Sequence, residues 1–448
     1  MLGEKESQSL CQKVLQRCGN DPAEVLLFVD ENALTRFANN TIHQNVSEVN
    51  INLTVRYFIG KRMGTASTNR MDTEALDRLV ERARANAKAS PEDPDYPGLP
   101  GKAAYSPVKA FDSLTAEYSP MQRAKAVGEV CRPAWEKGLN ASVAFSTGIR
   151  EIIIANSEGL FAYFATTNAD FQTILMGEGD ASARAQGSAW RVGDVPVEQL
   201  GQQAIQKAVA GKNPQIIPPG EYTVVFEHYV TVDLLAMLNF YGMSAQAVLE
   251  GRSWMNNRMN SKAMSDMVSI WDDGLDPKGS PMPFDSEGVP KRRVDIVSHG
   301  VVQGPVYDRY TGKKAGKDST GHALHPTMRS LGPLPTNLFM APGNVSLEEM
   351  IRSTEKGLYI NRFWYTRLVH PSDCVITGMT RDGVFMIENG EITYPVKNLR
   401  FTQSYVHALA DVESVGKETH LLADGIGNIA SRVPAVKIRR FNFTGSTV

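Results

Sequence analysis

The stretch "VNINLTVRY", from Val49 to Tyr57, alternates apolar and polar residues without interruption. Its apolar members are Val49, Ile51, Leu53, Val55 and Tyr57. Successive side chains of a strand point to opposite faces, so nine residues of period two predict a strand with one face on a hydrophobic core.

Helical patterns lie on both sides of this strand. Leu10, Val14 and Cys18 recur at helical spacing and stop at Gly19-Asn20, which predicts an N-terminal helix. The run "AEVLLFVD" at residues 23–30 predicts a buried strand, and "DTEALDRLVERARANAKA" at residues 72–89 predicts a second amphipathic helix. A helix packed on one face of a meandering sheet is the simplest arrangement for such a series.

A stretch rich in proline and glycine, "SPEDPDYPGLPG" at residues 90–101, predicts the first domain boundary, because it can continue neither a helix nor a central strand. Beyond it we predict a helix starting at Ser119-Pro120, with Met121, Ala124, Val127 and Val130 on its buried face. A hairpin at residues 150–167 and a helix at 197–209 complete this part, which ends near "PPGEY" at 218–222. We therefore predict domains at residues 1–100, 105–218 and 221–448.

The last part is rich in β-forming residues. It opens with the strand "YTVVFE" at 222–227 and a helix "LNFYGMSAQAVLEGRSW" from Leu238 to Trp254. Later, "GVFMIENGEITYPVKNLRF" at 383–401 predicts a hairpin turned at Asn389-Gly390. The predicted fold class is α+β, in which N-terminal α/β sandwich-like domains carry helices on mostly antiparallel sheets and a larger β-rich C-terminal domain follows.

Bulk composition limits the classes of function. The 448 residues are 42% hydrophobic and carry a net charge of -2, which gives no support for direct nucleic-acid binding. No run approaches the ~18 apolar residues of a membrane span, and the first ten residues carry charge where a signal peptide needs its apolar core. We expect a cytoplasmic protein without membrane contact. Its four cysteines are too scattered for a disulfide framework, and Cys11 and Cys18 should simply pack.

Two groups of residues are weak candidates for metal binding. His322 and His325 stand three apart in "GHALHP", but no acidic or cysteine partner lies at motif distance, so structural or exposed roles are favoured. Asp272-Asp273 lies among turn-forming residues, where carboxylates bind hard cations in some proteins. A solvated turn is the favoured interpretation.

Two further patterns resemble catalytic motifs but lack essential parts. In "YTGKKAGKDSTGHA" at 310–323, the spacing from Gly312 to Gly316 is one residue short of a phosphate-binding loop, and Asp318 replaces the hydroxyl residue. We expect a flexible basic loop there. S-x-x-K occurs at Ser106–Lys109 and Ser353–Lys356 without its companion motifs, so we expect no nucleophile. The second is expected to end a helix that starts at Ser346 and is capped by Gly357.

Six stretches together resemble the TldD/PmbA (TldD/TldE) family, also called modulators of DNA gyrase. They match in order and approximate spacing over nearly the whole chain: "ALTRFANNTIHQN" (33–45), "IANSEGL" (154–160), "IPPGEY" (217–222), "STGHA" (319–323), "APGNVSLEEMI" (341–351) and "MIENGEITYPVKNLRF" (386–401).

The resemblance also identifies what this chain lacks. TldD-type chains carry H-E-x-x-x-H on a helix, with two histidines as zinc ligands and the glutamate as general base. That helix ends in a turn resembling Leu249-Glu250-Gly251, which places the motif at Gly242, Met243 and Ala247. The region of a further cysteine ligand, residues 423–431, holds no cysteine. This departure resembles the TldE/PmbA branch.

The resemblance implies a non-catalytic subunit of a cytoplasmic metallopeptidase that acts on unfolded or extended peptides. We predict no catalytic, cofactor-binding or metal-binding residues and no cofactor of its own. Expected partners are a TldD-like zinc peptidase subunit in a heterodimer, or a second copy in a homodimer, and an extended peptide held by a strand edge. Two alternatives stay open: an active hydrolase that uses His322, His325 and Asp272-Asp273, and a binding module that modulates DNA gyrase.

Overall fold

A computed structural model describes residues 1–423 and 429–446. Its N-terminal part is α1 (Glu4–Cys18), β1 (Ala23–Ala38), β2 (Thr41–Ile59), β3 (Arg62–Thr68) and α2 (Thr73–Ala89). The middle part is α3 (Ser113–Ala116), α4 (Pro120–Glu136), β4 (Asn140–Asn156), β5 (Phe161–Met176), β6 (Ser182–Ala189) and α5 (Val197–Ala210).

The strands of these two parts form one antiparallel sheet in the order β3-β2-β1-β4-β5-β6. The central pairing, β1 with β4, runs from Glu24 opposite Asn156 to Phe37 opposite Val143. One face of the sheet carries the helices: α1 and α2 cover its first half, and α4 and α5 cover its second half. The sheet therefore joins the two N-terminal regions that the sequence separates at residues 90–101.

The C-terminal part contains more elements, and most of them are strands. They are β7 (Gly220–Phe226), α6 (His228–Gly242), α7 (Ala245–Leu249), β8 (Ile270–Asp272), β9 (Val294–Ser298), β10 (Val301–Val302), α8 (Arg309–Ala315), β11 (Asn337–Met340), α9 (Leu347–Arg352), β12 (Lys356–His370), β13 (Val375–Glu388), β14 (Glu391–Pro395), β15 (Leu399–Ser404), α10 (Tyr405–Ala410), β16 (Val412–Ala423) and β17 (Ala430–Ser446).

These strands form a second, mostly antiparallel sheet in the order β10-β9-β8-β11-β17-β15-β13-β12-β7. β7 pairs with both β12 and β17, so the path from β17 to β7 closes on itself around a large apolar core. The hairpin turn between β13 and β14 lies at Asn389-Gly390, where both residues have positive φ, as predicted. The α+β class with mostly antiparallel sheets and a larger β-rich C-terminal part is confirmed.

Residues 49–57, which lie in β2, differ from their prediction at both ends. Leu53, Val55 and Tyr57 are buried against the helices, but Val49 is 61% exposed and lies outside the core that the helices cover. Arg56, on the supposedly solvated face, is also buried, because the C-terminal part covers that face.

Three local predictions in the helices are wrong. Met121 is exposed and Ala124 only partly buried, whereas Val127 and Val130 are buried as predicted, together with Arg123, Cys131 and Ala134. Gly357 does not cap a helix, because α9 ends at Arg352 and Gly357 lies in β12. The "basic loop" at 310–323 begins as helix α8, capped by Asp308 and ended by the left-handed Gly316.

Cys11 and Cys18 are free and buried within α1, as expected. Within the described residues, none of the helices is long and apolar enough to cross a membrane.

Candidate functional site

The helix predicted from Leu238 to Trp254 is two helices. α6 ends at Gly242, and α7 begins at Ala245. Met243 and Ser244 form the break because their backbone pairs with the chain near Val306, through Ala245 N–Val306 O and Val306 N–Met243 O. The single-helix prediction was wrong because a neighbouring loop competes for these hydrogen bonds.

Trp254 packs directly on Gly242. A Cβ atom at position 242 would lie 2.0 Å from Cδ1 and 2.2 Å from Nε1 of this indole. Trp254 is fully buried, and its Nε1 donates to the carbonyl of Leu238 at 2.8 Å. Ser253 completes the contact by donating its hydroxyl to the carbonyl of Gly242 at 2.6 Å.

This arrangement does not fit a zinc ion. Zinc needs nitrogen, oxygen or thiolate ligands, and Gly242, Met243 and Ala247 supply none of them. Met243 and Ala247 are both fully buried among apolar neighbours. In residues 1–423 and 429–446, His, Cys, Asp and Glu side chains nowhere gather in a group of three or more that could hold a metal. Residues 424–428, part of the segment searched for a cysteine ligand, lie outside the described residues.

The structure brings together two of the four residues that the alternative hydrolase hypothesis names. His322 Nε2 lies 2.8 Å from Asp272 Oδ1, and both side chains are inaccessible to solvent. The other carboxylate oxygen accepts the backbone N–H groups of Thr336 at 2.8 Å and Asn337 at 2.7 Å. The expectation of a solvated turn at Asp272 was therefore wrong, since this residue ends strand β8 within the core.

The protonation of this pair follows from its surroundings. Burial lowers the pKa of His322, and the carboxylate of Asp272 offsets this only in part, which favours the neutral ring. Burial alone would raise the pKa of Asp272, but Lys291 and His322 outweigh that effect and hold it below its usual value. His322 Nδ1 lies 2.9 Å from the hydroxyl of Thr320. Thr320, His322 and Asp272 thus form a hydrogen-bonded chain, but Thr320 is only 6% exposed and its hydroxyl also lies 3.0 Å from the carbonyl oxygen of Tyr307.

The other two residues are not part of this pair. His325 contacts Thr327 and packs edge-on against Phe28. Asp273 caps a turn by accepting the backbone N–H of Leu275. Ser353, the serine of an S-x-x-K pattern, donates to the carbonyl of Met350, and its basic neighbour is Lys437 and not Lys356. The S-x-x-K pattern therefore does not bring its own serine and lysine together.

An extended concave feature, here called the polar groove, lies between the six-stranded sheet and the C-terminal part. Three cavities of about 350, 400 and 290 Å³ adjoin one another along it. The first two share Arg150, Thr166 and Ser280, and the last two share Gln172, Gln186 and Ala423. The groove runs from His322 to the outer side of α6, where Asp233 and Met237 line it.

Strand periodicity explains why the groove is polar. On β4, Val143 and Phe145 face the helices, whereas Ala144 and Ser146 face the groove. Its floor in the middle cavity consists mainly of uncharged hydrogen-bonding side chains: Asn32, Ser146, Thr166, Thr167, Asn168, Gln172 and Gln186. The sequence analysis missed these residues, because each is an ordinary polar member of an alternating strand. Only the pairing of strands far apart in sequence brings them together.

Comparison with known proteins identifies the family to which this chain is similar. The chain matches the models of the PmbA/TldA metallopeptidase domain 1 over residues 23–87, its central domain over 110–212 and its C-terminal domain over 219–445. A metalloprotease PmbA homologue of Haemophilus influenzae is 25% identical over 404 residues, covering 82% of this chain and 83% of the relative. A metalloprotease TldD homologue of the same organism is 20% identical, with 86% of each chain covered.

A solved structure shares the fold along its whole length. TldE from Thermococcus kodakarensis superimposes with a TM-score of 0.88 at 20% sequence identity, covering 98% of this chain and all of the other. With matches to all three domain models and relatives similar over most of their length, this chain belongs to the PmbA/TldD metallopeptidase family.

Proposed function

We propose that this chain is the non-catalytic, TldE/PmbA-like subunit of a cytoplasmic TldD/TldE-type metallopeptidase that degrades unfolded or extended peptides. The observation that carries the proposal is the contact between Trp254 and Gly242. The indole of Trp254 fills the space that the first zinc-binding histidine of a TldD-type helix would need. The neighbouring motif positions, Met243 and Ala247, are buried and apolar.

The polar groove supports a role in holding peptide. Amide and hydroxyl side chains such as Asn168, Gln172 and Gln186 offer both donors and acceptors. Such groups can bind the main chain of an extended peptide without selecting its side chains. The partner in this proposal is a TldD-like zinc subunit, which supplies the metal, the general base and the bound water. A second copy of this chain is the alternative partner.

The test combines zinc content with peptidase activity. The purified chain is assayed by elemental analysis and with a fluorogenic unstructured peptide, alone and mixed with a TldD-type chain that carries H-E-x-x-x-H. We expect no stoichiometric zinc and no cleavage by the chain alone. In the mixture, we expect cleavage that disappears when the motif of the TldD-type chain is mutated.

The outcome that contradicts the proposal is one tightly held zinc per chain with chelator-sensitive cleavage by the chain alone. The contact between His322 and Asp272 motivates the second candidate, an active hydrolase. In that case activity of the isolated chain would disappear in a His322→Gln/His325→Gln double variant that remains folded.

A further inference from the structure

The first cavity of the polar groove differs from the other two in its walls. This apolar end, of about 350 Å³, lies between the six-stranded sheet and the segments around residues 280–291 and 322–328. Its apolar wall residues are Phe28, Ile152, Phe164, Met282, Leu324 and Met328. A pocket with apolar walls and few polar groups is the usual form of a site for a small organic group.

A buried ammonium group lies in this wall. Lys291 is only 4% exposed, and its Nζ donates to the hydroxyl of Thr336 at 2.5 Å. Among the residues that the structure describes, Thr336 is the only hydrogen-bond acceptor of Nζ, and no carboxylate lies within salt-bridge distance of it. Since an ammonium has three donors, this one retains capacity for an anion.

The nearby carboxylates are committed elsewhere. The charge of Lys291 lowers the pKa of Asp272, but no salt bridge joins the two among the described residues, and both carboxylate oxygens already accept from His322 and from two backbone N–H groups. Asp30, in the opposite wall, pairs with Arg150. A buried ammonium that lacks a direct salt bridge gains when a ligand brings an anion into contact with it.

We propose that the apolar end binds a carboxylate attached to an apolar group, with Lys291 as the anion-binding residue. Ser286 and Thr336 also line the cavity and offer hydroxyl groups to the second carboxylate oxygen. A single ammonium matches a monoanion, and the apolar walls disfavour a phosphate dianion.

Two kinds of ligand carry a carboxylate on an apolar group. One is a peptide C-terminus with an apolar last residue, and the other is a free aliphatic acid. Resting on the proposed function, the inference assigns the site to the peptide C-terminus. The polar groove would then hold the preceding main chain, and the apolar end would fix where the peptide stops.

The test measures binding to the full-length chain by calorimetry. N-acetyl-Ala-Ala-Phe is compared as the free acid and as the C-terminal amide, and octanoate and inorganic phosphate are titrated separately. We expect the acid to bind at least tenfold more tightly than the amide and phosphate not to bind. In Lys291→Met the affinity for the acid should fall to that for the amide. Lys278→Met, which changes an exposed lysine, should bind both peptides like the unmodified chain.

A second variant keeps the test independent of the stability of Lys291→Met. Leu324→Trp fills the cavity and should weaken the binding of the acid and of the amide alike. Equal binding of acid and amide to the unmodified chain, or an acid preference that persists in folded Lys291→Met, overturns the inference. If octanoate binds in a way that depends on Lys291 but the peptide acid does not bind, the assignment of the site to a peptide C-terminus is wrong. None of these readouts depends on zinc, so failure here is distinguishable from failure of the proposed function.

Discussion

At the end of α6, a single indole determines which residues position 242 can accept. Even a methyl group there would overlap the ring of Trp254, which is anchored through its hydrogen bond to Leu238. Overpacking of this kind costs about 1–3 kcal/mol and more where the neighbour cannot move. Glycine at 242 is therefore a packing requirement, quite apart from the missing zinc chemistry.

We accordingly predict that Gly242→Ala lowers the free energy of unfolding by about 3 kcal/mol, measured by urea denaturation. Gly128→Ala is the matched control, because Gly128 lies within α4 and a Cβ there meets nothing within 4 Å. That substitution should raise stability by roughly 0.5–1 kcal/mol through the helix propensity of alanine. Equal effects of the two substitutions would contradict the tight contact with Trp254.

The buried pair of His322 and Asp272 makes stability depend on pH. Because burial lowers the pKa of His322, the unfolded chain binds a proton at a higher pH, about 6.5, than the folded chain does. This contribution lowers the free energy of unfolding as the pH falls from 7.5 to 5.

We predict that His322→Gln costs about 1–2 kcal/mol at pH 7.5, since the amide keeps a donor for Asp272 with poorer geometry. Between pH 7.5 and 5 the variant should lose less stability than the unmodified chain. Urea unfolding at both values measures this difference, with exposed His43→Gln as the control. A steeper pH dependence in His322→Gln than in the unmodified chain would refute the assignment of a neutral buried ring.

Among the elements, those specified by local sequence were predicted well. The helix of residues 73–89 has its apolar stripe and an Asp72 cap within a few residues, and the Asn389-Gly390 turn needs only its own positive φ angles. Elements shaped by distant partners were not. The break after Gly242 depends on the chain near Val306, and the burial of Arg56 depends on the C-terminal part.

The candidate site shows the same division. Glycine, methionine and alanine at the motif positions were visible in the sequence, because the turn at Leu249-Glu250-Gly251 fixes the alignment with the H-E-x-x-x-H motif. The role of Trp254 was not visible, because only the fold turns its ring back onto Gly242. Likewise, no local pattern joins Asp272 to His322 or Lys291 to Thr336, which lie on separate segments.

At the scale of the molecule, the shared sheet makes the two N-terminal regions structurally dependent on each other. β1 pairs with β4 along most of its length, and Ile153 and Ala155 of β4 complete the core beneath α1 and α2. Regions that share strands and core residues open together in native-state hydrogen exchange.

We predict that Phe145→Ala, in β4, lowers the protection of amides in β1 as well as in β4. Removing this buried ring should cost about 3–5 kcal/mol. Native-state hydrogen exchange with mass spectrometry measures the effect on residues 23–38. Phe401→Ala is the matched control, because Phe401 is equally buried in the C-terminal core. Protection of β1 that survives Phe145→Ala would show that the two regions open separately.

The packing of Trp254 on Gly242 also constrains how this lineage can change. A histidine introduced at 242 meets the ring, and a smaller residue introduced at 254 leaves a void, so each change is harmful before the other arrives. A zinc-binding motif of the TldD type on this helix would require both changes, together with new residues at 243 and 247. One aromatic ring thus places a TldD-type metal-binding helix at least four substitutions away, at positions 242, 243, 247 and 254, and two of these must arrive together.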